Sequence, residues 1–280
     1  METSQENTKK HIFTFWEPKD KVPGYISLCM KTWEKYLTDY QVTVMDYEQL
    51  AQYFTQEELD ETECRDFTLA MQADVFRCAL LRKYGGIWFD TDTIITPAFD
   101  TDYFCKGDFC TVGSKKAGFI NGAYIYNAGP CIAFTQKWYD TLKIKLVEGR
   151  KFRRSALLRV FKRKRWRIVR RWDFCMNSII QPMANVSKEP DFVYLERSDI
   201  RCFPEAIYSE NPEVDNRDDY RRFWFTEGET EEKWQELARN KGIIMLHNSW
   251  TPKEFRSMSE EEFLNSGCFL AIYLKKILGY

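Results

Sequence analysis

The 280-residue chain is predicted to fold as one α/β domain around a mainly parallel sheet. Three observations predict this. Short β-branched or aromatic runs alternate with longer segments of helical period, the order expected of a sheet covered by helices. The composition is 44% hydrophobic and 16% aromatic, enough for a sizeable core and too apolar for disorder. No repeat or low-complexity linker divides the chain, so one compact domain is expected.

In chain order, "HIFTFW" (His11–Trp16) is a short apolar run stopped before Pro18 and reads as the first strand. In "YISLCMKTWEKYL", Ile26, Met30, Trp33 and Leu37 recur at helical spacing. "YQVTVMD" (Tyr40–Asp46) alternates and is β-branched, so a second strand follows. "DFTLAMQADVFRCALLRKYGG" is a helix with Phe67, Ala70, Met71, Val75, Cys78 and Leu81 apolar and Gly85 as its stop. "GIWFDTD" is the next strand, and "FVYLE" and "GIIMLHN" are later ones. "EEEFLNSGCFLAIYLKKILGY" ends in a short apolar helix that suits core packing, with a second membrane foothold as the other reading.

The formal charge of −1 argues neither for nor against nucleic acid as a partner of the chain as a whole. "METSQENTKK" has no apolar signal-peptide core, and no apolar run is long enough to span a bilayer, so a cytoplasmic protein is expected. Nine cysteines, odd in number and without C-x-x-C spacing, read as reduced thiols.

One segment departs from this balance. Residues 151–171, "KFRRSALLRVFKRKRWRIVRR", hold eleven Lys/Arg and no acid, which leaves −12 on the rest of the chain. Leu157, Leu158, Phe161, Ile168, Val169 and Trp172 fall near one face of a helix. A cationic amphipathic helix suits an anionic membrane surface; a basic helix packed on the protein's own acidic body is the plain alternative. Few stacking aromatics are present, so nucleic acid is not expected.

"KYGGIWFDTDTIITP" raises the functional question. On a strand, Asp90 and Asp92 point the same way, roughly 7 Å apart, and near a core they need a compensating charge. Two such carboxylates suit Mg²⁺ or Mn²⁺ at the carboxyl end of a parallel strand. The motif alone also fits a haloacid-dehalogenase-type phosphatase with Asp90 as nucleophile and Asp92 as acid/base. That reading needs a further acidic pair, for which "RDDY" (Arg217–Tyr220) is the candidate. A solvated turn and a non-catalytic membrane-binding protein stay open too.

The stretch "ADVFRCALLRKYGGIWFDTD", Ala73 to Asp92, resembles D-x-D glycosyltransferases. It is similar to the family 32-like group of capsular polysaccharide synthesis proteins, α1,6-mannosyl- and α1,4-galactosyltransferases, and to the glucosylating domain of large clostridial toxins. The shared pattern is Asp, two residues, Arg, then Leu, Tyr-Gly-Gly, an aromatic and Asp-x-Asp. The resemblance implies a GT-A fold over residues 10–256, with a helical tail over 257–280. It implies a retaining, metal-dependent transferase moving a hexose from a nucleotide-sugar, a UDP-hexose favoured, to a glycan or lipid-linked acceptor.

By the same resemblance, Mn²⁺ or Mg²⁺ is held by Asp90, Asp92 and His247. Phe15 and Trp16 flank the base, and Asp74 and Arg77 meet the donor sugar and ribose. Gly86 accompanies the donor-binding turn. Ser249, Trp250 and Lys253, in "HNSWTPK", contact the diphosphate. Apart from the resemblance, Asp173, in "RWDFCMNS", is the candidate for a catalytic carboxylate near the acceptor. The expected location is cytoplasmic, with peripheral attachment at the inner membrane face through 151–171.

Overall fold

The computed structural model describes residues 10–114, 119–188, 190–196 and 216–280. Strand β1 (Lys10–Phe15) enters first, and the helix Gly24–Tyr36 carries the chain to β2 (Tyr40–Met45). The helix Leu69–Tyr84 returns it to β3 (Gly86–Phe89), with β4 (Thr93–Ile95) directly after. β5 (Phe109–Ser114) and β6 (Phe119–Asn127) precede the long helix Ala133–Arg154. β7 (Val193–Leu195) and β8 (Ile243–Met245) come later.

Six strands form one sheet in the order β2-β1-β3-β6-β5-β7. β1 pairs in parallel with β2 and β3, and β5 with β7; β6 runs antiparallel to both neighbours. The sheet is thus mixed and mostly parallel, as an α/β chain with crossover helices should build. The β5–β6 pair is the antiparallel part that the strand pattern did not predict. β4 and β8 form a separate antiparallel pair.

Alternation along the strands divides the core. Phe13, Phe15, Trp88 and Ile125 face the helices Leu69–Tyr84, Ala133–Arg154 and Asn177–Val186. Ile12, Ile87, Phe89 and Tyr124 face Trp33 on the other side. The C-terminal helix Phe269–Leu278 buries Phe269, Leu270, Ala271 and Leu274 completely. It packs on Gly24–Tyr36 and Arg217–Phe225, so these apolar groups are core. Eight described cysteines are free thiols; Cys202 lies outside the described residues. Among the described residues no helix is long and apolar enough to cross a membrane.

Two expectations are corrected. The strand carrying the carboxylates stops at Phe89, and Asp90 begins a turn in which Thr93 N–H donates to the Asp90 carbonyl at 3.0 Å. Asp90 and Asp92 therefore stand on a turn between two strands and do not share a strand face. The basic segment is also not one helix. It comprises the end of Ala133–Arg154, then Ala156–Phe161 and Arg163–Val169. Ser155 breaks it by accepting the Leu158 N–H on its side chain at 3.2 Å, an N-cap that competes with helix continuation.

Candidate functional site

Asp90 lies at the carboxyl end of β3, where sheets of this type bind ligands. Its position is set by two chain segments. Its own N–H donates to the Ala123 carbonyl of β6 at 2.9 Å, extending the β3–β6 ladder by one rung. Its Oδ1 accepts from Trp88 Nε1 at 2.8 Å and from Arg77 Nη2 at 2.5 Å.

Arg77 links this carboxylate to a second one. On the same turn of the Leu69–Tyr84 helix, Arg77 Nη1 donates to Asp74 Oδ1 at 2.8 Å. Both residues are nearly sealed, Asp74 at 7% and Arg77 at 4% exposure. The guanidinium also lies 5.0 Å from the Trp88 ring and donates to Met176 Sδ at 2.6 Å. Burial raises the Asp74 pKa above the usual range; Arg77 opposes this, and the charges of Asp90 and Asp173 add to it. Asp173 thus sits within the field of the same cluster, held by a bidentate ion pair with Arg171 at 2.8 and 2.9 Å.

Asp92 is fixed from far along the chain. The register Thr93↔Met245 brings β8 alongside, and Leu246 N–H donates to the Asp92 carbonyl at 3.0 Å. Asn248 N–H then donates to Asp92 Oδ2 at 2.7 Å. Burial and the neighbouring Asp90 charge push the Asp92 pKa up to about 7, against the pull of the Asn248 N–H. The His247–Thr251 turn is held from below. His247 N–H donates to Tyr220 Oη at 3.0 Å, Tyr25 Oη donates to Asn248 Oδ1, and Arg256 donates to the Ser249 and Thr251 carbonyls. The His247 and Trp250 rings pack at a tilt with their centres 4.1 Å apart.

The structure brings together Asp74, Arg77, Asp90 and Asp173, and beside them Asp92 with the His247–Trp250 turn. Lys253 and Ser249 are exposed on that late segment. It does not bring Gly86 there. Gly86 opens β3 at the end away from Asp90, with φ +93° and its α-carbon against the His11 carbonyl, where a Cβ would come to 2.4 Å. Phe15 packs into the core against Phe76 at 4.9 Å, while Trp16, at the end of β1, is half-buried among the C-terminal helices. The acidic pair Asp218 and Asp219 lies in the first turn of a helix, ion-paired with Arg221 and Arg222.

Sequence reasoning missed Gly122, Trp88, Met176 and Tyr220. Gly122 lies in a bulge of β6, where Thr111 pairs with Ile125 and Val112 with Asn121. A Cβ on Gly122 would meet Met176 at 2.0 Å and Arg77 at 2.5 Å, so the missing side chain makes the room Arg77 occupies. The visible signal was Asn-Gly inside the apolar run "FINGAYIYN".

Among the described residues no three His, Cys, Asp or Glu side chains converge as a metal cage. A magnesium-like ion needs fewer, since one or two carboxylates plus substrate phosphates and water complete its shell. Asp90 and Asp92 fit that requirement. Among the described residues Oδ2 of Asp90 accepts no hydrogen bond, and burial is the main cause of the raised Asp92 pKa, with the Asp90 charge adding to it.

Residues 1–126 match the family model described as "Capsular polysaccharide synthesis protein". No protein of curated function matches the chain. Among solved structures, the chain is similar to a glycosyltransferase involved in the glycosylation of the major capsid of PBCV-1. The two share 12% identity over 88% of this chain and 96% of that one, with a TM-score of 0.39.

Proposed function

We propose that the protein is a metal-dependent glycosyltransferase that moves a hexose from a nucleotide-sugar to a glycan or lipid-linked acceptor. The observation that carries this reading is the meeting of Asp92 with the His247–Lys253 segment, at the strand end where Arg77 holds Asp90. The family match over residues 1–126 supports it in the part of the chain that supplies Asp74, Arg77, Asp90 and Asp92.

In this reading Asp90 and Asp92 hold Mn²⁺ or Mg²⁺, with His247 adjoining. When bound, the ion supplies Lewis-acid neutralisation of the departing diphosphate. The chain's own residues do the remaining work. Arg77 occupies Oδ1 of Asp90 and so orients the carboxylate with Oδ2 left for the ion. The Asn248 N–H does the same for Asp92 through Oδ2. Asp74 and Arg77 bind donor hydroxyls, while Lys253, Ser249 and Trp250 bind the diphosphate. Asp173 lies on the acceptor side. Asp74 and Asp90 are bound by Arg77 and Asp173 by Arg171, so none is a free nucleophile. A same-face displacement with retention is the pathway that fits.

The test is donor hydrolysis and transfer across a panel of nucleotide-sugars, with and without Mn²⁺. Asp92→Ala is expected to remove both turnover and metal dependence, a loss of at least about a hundredfold for electrostatic stabilisation of a leaving group. Undiminished turnover in that variant sinks the reading. Phosphoester hydrolysis lost in Asp90→Asn would put a phosphatase in its place.

A further inference from the structure

We infer that the two short helices Ala156–Phe161 and Arg163–Val169, with Trp172 after them, dock on the surface of an anionic phospholipid bilayer. Their inward side is anchored. Val169 and Phe152 are buried, Trp166 stacks over Phe152 at 6.5 Å, Leu158 packs on the main core, and Arg165 is ion-paired to Glu148. The outward side is apolar and uncovered: Leu157, Val160, Phe161 and Trp172 are each about 70–80% exposed, and Ile168 is 43% exposed.

The charges decide what this face accepts. If the basic segment served to pack on the acidic body, its cations would be paired there. Among the described residues, Arg154, Arg165 and Arg171 alone of the eleven form ion pairs, with Asp66, Glu148 and Asp173. Lys162, Arg163, Lys164, Arg167 and Arg170 are exposed and form none among the described residues. Arg159, Arg163, Arg167 and Arg170 line a groove with Val160 and Trp166. Unpaired cations interleaved with exposed apolar groups match phosphate headgroups above an acyl boundary. Nucleic acid fits less well, because the groove offers only one aromatic face and Arg153 and Arg159 already cover it. The −12 on the remainder of the chain repels the same bilayer, so docking also fixes which way the protein faces. This inference stands apart from the proposed activity.

Flotation of the full chain with vesicles tests it. Phosphatidylcholine containing about 30 mol % phosphatidylglycerol is compared with phosphatidylcholine alone, at about 0.05 M and about 0.5 M salt. Binding is expected only to the anionic vesicles and only at low salt. Leu157→Asp/Phe161→Asp and Arg163→Glu/Arg167→Glu should each weaken it about tenfold or more, with thermal unfolding unchanged because all four side chains are exposed. No flotation of the wild type at low salt overturns the proposal. So does flotation that survives both double substitutions. If the aspartate pair binds like the wild type while the glutamate pair does not, the face is a polyanion site and the bilayer assignment falls.

Discussion

Arg77 is the residue on which the site's electrostatics turn, since one guanidinium serves two carboxylates. Removing it strands Asp74 in the core without a countercharge, a loss that typically costs about 3–5 kcal/mol. Arg77→Met is therefore expected to lower unfolding free energy by about 3 kcal/mol, and adding Asp74→Asn should recover more than half. Urea denaturation of both variants checks this. Asp92 makes a different statement. Its pKa is raised in the fold, so between the usual carboxylate value and about 7 the native state binds more protons than the unfolded chain. Its contribution to stability thus falls as pH rises through that window, and Asp74 acts in the same direction. Unfolding free energy measured from pH 4 to 8 without divalent ions should decline, and Asp92→Asn should flatten the decline. On the proposed function, added Mn²⁺ should raise wild-type stability most above pH 7, where the carboxylate proposed to hold it is ionised.

At the scale of elements, the Gly85–Gly86 pair shows what sequence can convey. Gly85, at φ +70°, ends the Leu69–Tyr84 helix with its N–H on the Leu81 carbonyl, as the Tyr-Gly-Gly pattern suggested. Gly86 has a purpose the pattern did not reveal, the close approach of β3 to β1. Gly86→Ala is expected to cost about 2 kcal/mol or more, read as a shift in denaturant midpoint, because both φ and the His11 carbonyl oppose a side chain. β1, β2, the two helices beside them and β8 were legible because apolar periodicity and the punctuating Gly and Pro agree there. β5 and β6 were not, since the bulge at Asn121–Tyr124 disrupts the alternation on which strand reading depends. The turn after Phe89 was hidden for a related reason. "GIWFDTDTII" is β-like throughout, and only the Thr93–Asp90 hydrogen bond ends the strand. In the basic segment, Ser155 acted as a cap inside a pattern that looked continuous. Of the candidate site, Asp90 and Asp92 could be singled out from their spacing, whereas Asp74, Arg77 and the His247 turn came from the resemblance to D-x-D glycosyltransferases. Trp88, Gly122 and Tyr220 could not, because their roles arise from packing around Arg77 and His247 that spacing along the chain does not encode.

At the scale of the whole molecule, the C-terminal tail is structural. Phe269, Leu270 and Leu274 are fully buried and Tyr273 nearly so, each worth about 1.5–3 kcal/mol of burial. Together that rivals the ~5–15 kcal/mol net stability of a typical domain. A chain ending at Cys268 is expected to lose its cooperative thermal transition in calorimetry, whereas a detachable appendage would leave that transition in place.

The β4–β8 pairing sets a schedule. Asp92 and Asn248 are separated by 156 positions, yet one N–H joins them. At ribosomal speeds of about 5–20 residues per second, the nascent protein waits roughly 8–30 s between making the acid and making the group that steadies it. Throughout that delay the Asp-x-Asp turn exists with its late half still unsynthesised. The candidate site is therefore completed only after residue 248 has been made, and a ring closed over so many residues should make the protein a slow folder in the test tube as well.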